Sequence, residues 1–349
     1  MRDAAMTTSL LLLCRALQYG SGMVLVGVVA FRWLILLPAF AAQTDEVWEK
    51  FLPLLLRLNR LFLGAGMILV LSALGLFWAV AAGMSDTSLA ESLTSETLGA
   101  VFFQTQFGAV CQWRLGLAGL MVILTWRLLL VRWMLRRKCF VLEIVAGIIA
   151  AALVVAFAWT GHAAASGGPA LFLRIGADAL HLFVTSIWPA GLLPFAMFLA
   201  QARRLQDELP LAPVCKAVGR FSNVSLVIVV VLAVTGLINS YFIVGSFQAL
   251  FTSTYGRVLG LKLSLFGVLL GIATYNRFRI VPQLLLCSAP QESISSAGPL
   301  LRRLQNLVLA EIALAIAIVL VVSVLGTTPP PQEAPPPSHA STSPPAKIV

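Results

Sequence analysis

The chain has 349 residues, of which 59% are hydrophobic and 11% charged, and its mean hydropathy is +0.94. A water-soluble domain carries roughly a quarter charged residues, so an ordinary soluble enzyme or binding module is excluded. The formal charge of +10 comes from 24 Lys and Arg against 14 Asp and Glu. These basic residues are scattered between long apolar runs without forming one face, which argues against a nucleic-acid partner and leaves the lipid bilayer as the solvent of the chain.

A hydrocarbon core of about 30 Å takes about 20 mostly apolar residues per helix. Eight runs meet that length, over 9–36, 61–82, 113–135, 139–160, 175–200, 221–243, 258–275 and 304–325. The fold expected is therefore all-α, a polytopic membrane protein with eight transmembrane helices. Arg15 interrupts the first apolar run, which then continues for a full span, so that helix is expected to be retained and not cleaved as a signal peptide. Segment 96–111, ETLGAVFFQTQFGAVC, is shorter and carries Gln104 and Gln106; it reads as an interfacial or re-entrant helix leading into the third span. The last 23 residues, 327–349, hold 8 of the 18 prolines and almost no large apolar side chain, which is the composition of a disordered tail. Its His339 is open to two readings, a weak metal ligand or a solvated residue of a Pro/Ser linker.

The connections alternate in charge. Lys50, Arg57 and Arg60 lie between the first two spans, and Arg127, Arg132, Arg136, Arg137 and Lys138 between the third and fourth. Arg203, Arg204, Lys216 and Arg220 follow the fifth span, and Arg277, Arg279, Arg302 and Arg303 the seventh. The loop at 84–96 has Asp86, Glu91 and Glu96 with no Lys or Arg. By the positive-inside rule both termini face outward.

An ionisable group inside a membrane is expensive and marks a partner, a wet cavity or a function. The outer half holds His162, Asp178, His181, Arg15 and Lys262; the inner half holds Arg32, Glu143 and Glu311. The densest cluster is WTGHAAASGGPALFLRIGADALHLFVTSIWPAG, residues 159–191. There Asp178, His181, Thr185 and Trp188 stand at i, i+3, i+7 and i+10, hence on one helix face. His181 is two turns below the helix entry, roughly 9 to 10 Å deep. Together with His162 at the end of the preceding helix, this is a candidate metal site. Imidazole suits copper, zinc, iron and nickel, and soft donors favour Cu(I); the soft candidates on that side are Met84, Cys111, Met6, Cys14 and Met23. Asp178 either ligates or orients the His181 ring. The competing reading is a structural network in which Asp178 pairs with Lys262 or Arg15 and the histidines cap helix ends. Cys14, Cys111, Cys139, Cys215 and Cys287 include no CxxC and no close pair, so no disulfide framework is expected. Glu311 and Glu143 are likewise open: each either eases a cation or proton toward the inner side, or pairs with Arg127, Arg132 or Arg302.

Residues 220–279 bring a resemblance. Arg220-Phe221-Ser222, Thr235-Gly236, Tyr241 with Gly245-Ser246, Thr254-Tyr255-Gly256-Arg257, Lys262 and Asn276-Arg277 resemble the conserved domain of the copper resistance protein D (CopD) family. Upstream, Gly161-His162-Ala163, Asp178, His181 and Trp188 are similar to that family's GHA and D-x-x-H-x-x-x-x-x-x-W pattern. One position departs, since the family's W-x-G-G is here Trp188-Pro189-Ala190-Gly191, which bears on helix packing beside His181. The resemblance implies a bacterial inner-membrane protein with both termini periplasmic, a four-helix region over 1–158, a CopD-like four-helix region over 159–326 and a periplasmic tail. It implies a copper-ion substrate, Cu+ or Cu2+, held by His162, His181 and Asp178, and a periplasmic copper-binding partner of the CopC type; Met84 and Cys111 stay candidates from their donor chemistry alone.

Copper transport or uptake serving copper resistance is the leading expectation, with no catalysis and, as no GxxxxGKS motif occurs, no ATP-driven step. Two other readings stand beside it. One is a b-type cytochrome or copper reductase using His162 and His181 as axial ligands; the other is a receptor that docks a copper carrier without moving the ion.

Overall fold

The computed structural model describes residues 2–85, 87–93, 96–130, 140–160, 170–205, 210–286, 294–329 and 331. Helices dominate, and we label the long ones α1 (Arg2–Ala30), α2 (Leu52–Ser85), α3 (Gln106–Leu130), α4 (Phe140–Val155), α5 (Leu171–Ile187), α6 (Leu192–Leu205), α7 (Leu211–Val244), α8 (Thr254–Tyr275) and α9 (Ile294–Leu325). Among the described residues seven stretches are long and apolar enough to cross a membrane: Ala5–Ala39, Leu52–Ser85, Phe107–Arg127, Leu171–Leu205, Leu211–Val244, Thr254–Leu286 and Ala297–Leu325. The fourth expected span is represented by a shorter apolar stretch, Ile144–Trp159, where α4 passes into a 3₁₀ segment, Ala156–Thr160.

Most helices outrun the apolar windows that announced them. α7, with 34 residues, is about 51 Å long at about 1.5 Å per residue, against a hydrocarbon core of about 30 Å. Hydropathy marks only the part suited to lipid; the helix continues through Lys216 and Arg220 because nothing there breaks it. In segment 96–111 the opposite occurs. Thr105 ends the helix Glu96–Gln104 by donating its hydroxyl to the Val101 carbonyl at 2.6 Å, and the same oxygen accepts from the Gly108 N–H at 2.9 Å. One side chain thereby stops a short helix and caps α3, so the expected lead-in to the third span is a separate element.

α1 is the hub of the bundle, with α2, α4, α5 and α9 all packed against it; α3 packs on α2, α7 on α5, and α9 on both α6 and α8. The expected fifth span is not one continuous helix. Pro189 has no N–H to give the Thr185 carbonyl, and the Ala190 N–H takes that acceptor at 3.4 Å, opening a turn between α5 and α6. α1 presses its backbone into this turn. A Cβ at Gly27 would stand 2.8 Å from the Ala190 carbonyl carbon and 2.9 Å from the Gly191 nitrogen, so only glycine fits. Such close backbone approach is how membrane helices gain packing energy when lipid is as apolar as the side chains.

Beyond the turn, an aromatic group fills the core. Phe195 stacks on Phe221 with centroids 4.1 Å apart, and Phe31, Phe40, Phe51 and Phe198 extend it. The chain departs from α-geometry twice, in the π segments Phe31–Leu36 and Asn276–Ile280. Between α7 and α8, Gly245 takes φ 72°, a left-handed conformation suited to glycine. Ser246 then caps the helix Phe247–Thr252 and Ser253 caps α8. Two of the motifs that carried the family resemblance are therefore turn and cap chemistry.

Candidate functional site

On α5 the polar face reads Asp178, His181, Thr185 and Trp188, as the spacing requires, and α7 supplies its complement. His181 Nδ1 lies 2.9 Å from Thr235 Oγ1, and Asn239 Nδ2 donates to Asp178 Oδ1 at 3.4 Å. Stepping three residues forward on α5 matches four backward on α7, so the two helices run antiparallel with Asp178 facing Asn239 and His181 facing Thr235.

Thr235 also determines the protonation pattern of the ring. Its hydroxyl reaches the Val231 carbonyl at 2.8 Å, and a hydroxyl has one proton to give. With that proton on Val231, the Thr235 oxygen accepts from His181, which places the imidazole hydrogen on Nδ1 and leaves the Nε2 lone pair for an incoming ligand. A hydrogen bond on one ring nitrogen that frees the other is the arrangement found behind metal-binding histidines. Gly236 borders the ring edge, where a Cβ would meet Cε1 at 3.6 Å, an ordinary contact.

Charge reaches the pair from two further helices. Lys262 of α8 is close enough for its charge to act on both Asp178 and His181, and Tyr19 of α1 feels Asp178, Arg15 and Arg114. Arg114 of α3 is buried with its guanidinium 4.2 Å from the centre of the Phe157 ring, against which Tyr19 also packs at 4.9 Å. A polar seam thus runs from Lys262 through Asp178 and Tyr19 to Arg114, between helices that are otherwise apolar.

The remaining sequence candidates distribute as follows. His162, Cys139, Cys287 and His339 lie outside the described residues, as do most of the tail and the side chain of Glu143. The 3₁₀ segment that leads toward residue 162 packs directly on α5. Met84 is 60% exposed at the end of α2, whereas Cys111 is buried in α3, and neither helix makes an extended contact with α5. Cys14, Cys111 and Cys215 are free thiols. Among the described residues no three His, Cys, Asp or Glu side chains gather as a metal-holding group. Sequence reasoning named Thr235 only within a family motif and missed its pairing with His181, as it missed Asn239, Tyr19 and Arg114. For Thr235 and Asn239 a signal existed: two polar residues at i and i+4 in the apolar run VVVLAVTGLINSYF put both on one helix face.

Comparison with known proteins bears out the family resemblance. The family model described as Copper resistance protein D matches residues 215–325, and that described as Copper resistance protein D-like, N-terminal domain, matches residues 6–172. The chain is 35% identical over 126 residues to Copper resistance protein D of Pseudomonas syringae pv. tomato, covering 36% of this chain and 40% of that protein. It is 35% identical over 114 residues to Copper transport protein CutJ of Bacillus subtilis, covering 33% and 20% respectively. It is 29% identical over 208 residues to Inner membrane protein YebZ of Escherichia coli, covering 59% and 66%. The matched segments thus span less than half the length of the first two relatives. No solved structure matches the chain.

Proposed function

Since the chain belongs to the copper resistance protein D family and is a multi-pass protein of the inner membrane, we propose that it moves copper ions across that membrane as part of copper resistance or homeostasis. Copper is captured by His181, whose Nε2 is left open by the Nδ1 bond to Thr235; that one bond carries the reading. Asp178 supplies a carboxylate one turn away on the same face. His162, two residues beyond the 3₁₀ segment in sequence, completes the set. Copper(II) and copper(I) both accept imidazole, and copper(I) would draw further on thiolate or thioether donors such as Cys111 or Met84.

In this reading the stretch Ile144–Trp159 is the eighth span, and both termini are periplasmic. The basic loops then lie in the cytoplasm, and the His181 cluster faces the side from which a periplasmic carrier of the CopC type would deliver its ion. An interior-negative membrane potential favours entry of a cation by about 2.3 kcal/mol per charge per 100 mV. The reading is one of transport without catalysis.

The test is copper uptake into liposomes together with copper binding by purified protein. Wild type is expected to bind and translocate copper, and His181→Ala and His162→Ala to lose most of both. Unchanged copper occupancy in the two variants would overturn the site; binding without flux would leave a receptor in place of a transporter, and a Soret band in the absorption spectrum would replace copper with haem.

A further inference from the structure

Beside the polar seam, α6, α7, α8, α9 and the turn residue Trp188 border a partly open cavity of about 100 Å³ lined mainly by apolar side chains, among them Phe195 and Phe221. Trp188, seven residues beyond His181 and the C-cap residue of α5, is part of that lining. Two polar residues break the apolar lining deep inside. Glu311 of α9 is 2% exposed, and Asn276, the first residue of the π segment Asn276–Ile280, is 7% exposed. Asn276 Nδ2 donates to Glu311 Oε1 at 2.7 Å. Of the two readings open for Glu311, a cation or proton role and a pairing with Arg127, Arg132 or Arg302, the second is not seen among the described residues, which exclude Arg132.

The polar groups of this pair do not balance. Asn276 Oδ1 is buried and meets no donor among the described residues, leaving its desolvation uncompensated. Among the described residues no ion pair to the carboxylate is seen either. Arg277 lines the cavity, yet its Nη1 is committed to the Ser222 carbonyl at 2.7 Å, the Ser222 hydroxyl at 2.9 Å and Asn223. Arg203 donates to Gln305 and Arg303 to Tyr275. Arg15 lies against Gly326, just beyond α9, and Lys262 acts on Asp178. What the pair lacks is one donor, and a carboxylic O–H is that donor, reaching Oδ1 directly or through a water in the cavity. The space suffices, since a water needs only about 10–15 Å³ on this measure.

We propose that Glu311 and Asn276 form a proton-binding site, distinct from the His181 region. The carboxylate takes one proton from water entering by the cavity, becomes a neutral acid, and satisfies the amide oxygen. Other ions suit the place less. No His, Cys or Met lines the cavity, so copper finds no soft or imidazole ligand. A hard divalent cation such as Ca2+ takes about 6–8 oxygens, whereas a proton needs one. Asn276 opens a π segment, and such segments inside α-helices occur frequently at functional sites. The proton site does not depend on copper being the cargo; if it is, Glu311 is where a proton is exchanged as the cation passes.

The experiment is infrared spectroscopy of the full chain in copper-free liposomes, reading the carbonyl stretch of a protonated carboxyl across neutral and alkaline pH. The expected result is a protonated-acid band at neutral pH that disappears in Glu311→Gln, persists in Asp178→Asn and shifts in frequency in Asn276→Ala. A wild type without the band, or a band undiminished in Glu311→Gln, overturns the proposal, as does a band abolished by sodium or potassium. Should Glu311→Gln not fold, the wild type and Asn276→Ala decide between them, an unmoved band counting against the site.

Discussion

His181 Nδ1 and Thr235 Oγ1 face each other at 2.9 Å across the α5–α7 interface, and the threonine's own bond to Val231 makes the histidine the donor. Removing that acceptor while keeping the shape should therefore unfix the ring. We expect Thr235→Val to weaken copper binding about 10- to 100-fold, the range for losing an outer partner of a metal ligand, and Thr235→Ser to restore it. Copper titration of both variants measures this; equal affinity in wild type and Thr235→Val would detach the threonine from the site.

Lys262 places positive charge beside the two groups proposed to hold a cation. Its removal relieves repulsion toward copper while leaving Asp178 uncompensated. Lys262→Met is expected to raise copper affinity about tenfold, equivalent to about 1.4 kcal/mol, with a steeper dependence of binding on the presence of Asp178. Binding isotherms of Lys262→Met and of the double variant with Asp178→Asn check the sign.

Gly27 meets the α5–α6 turn backbone to backbone, with no flexible side chain to give way. Gly27→Ala should force the helices apart, costing about 1–3 kcal/mol as overpacking does and lowering the unfolding temperature in detergent. Gly64→Ala, on a glycine with open space around its Cβ, is the matched control and should leave it unchanged.

In the loop after α2, Ser88 donates its N–H at 3.0 Å and its hydroxyl at 2.8 Å to Glu91 Oε2, and Ser88 Oγ accepts the Glu91 N–H in return. These bonds to the ionised form hold the Glu91 carboxyl below its usual range. The stabilisation of the short helix Leu89–Ser92 is therefore complete above the ordinary glutamate value of about 4.3 and is lost as pH falls through the depressed value of the folded state. Amide exchange across 88–92 should accelerate in acid for wild type, and Glu91→Gln should flatten that dependence.

Much of this molecule follows from local properties of the chain. Apolar runs, their lengths and the charges ending them announced an all-helical membrane protein, because the bilayer demands internally bonded backbone at each crossing. The placement of Asp178, His181 and Trp188 on one face needed only the helical period. Proline at 189 announced a disturbance in the fifth span, since the missing N–H is written in the residue itself.

What completes those features lies on other helices, and there only the tertiary structure decided. That Thr235 and Asn239 oppose His181 and Asp178, that Lys262 and Tyr19 close the seam, and that Gly27 seats the turn at Ala190 all depend on how each helix is rotated and how far it slides against its neighbour. The same holds for Glu311, which the spacing of charges left equally open to Arg302 and which the fold gives to Asn276 at a π segment. Periodicity fixes a face within one helix; the partner of that face is set by packing between helices, which no single run of residues contains.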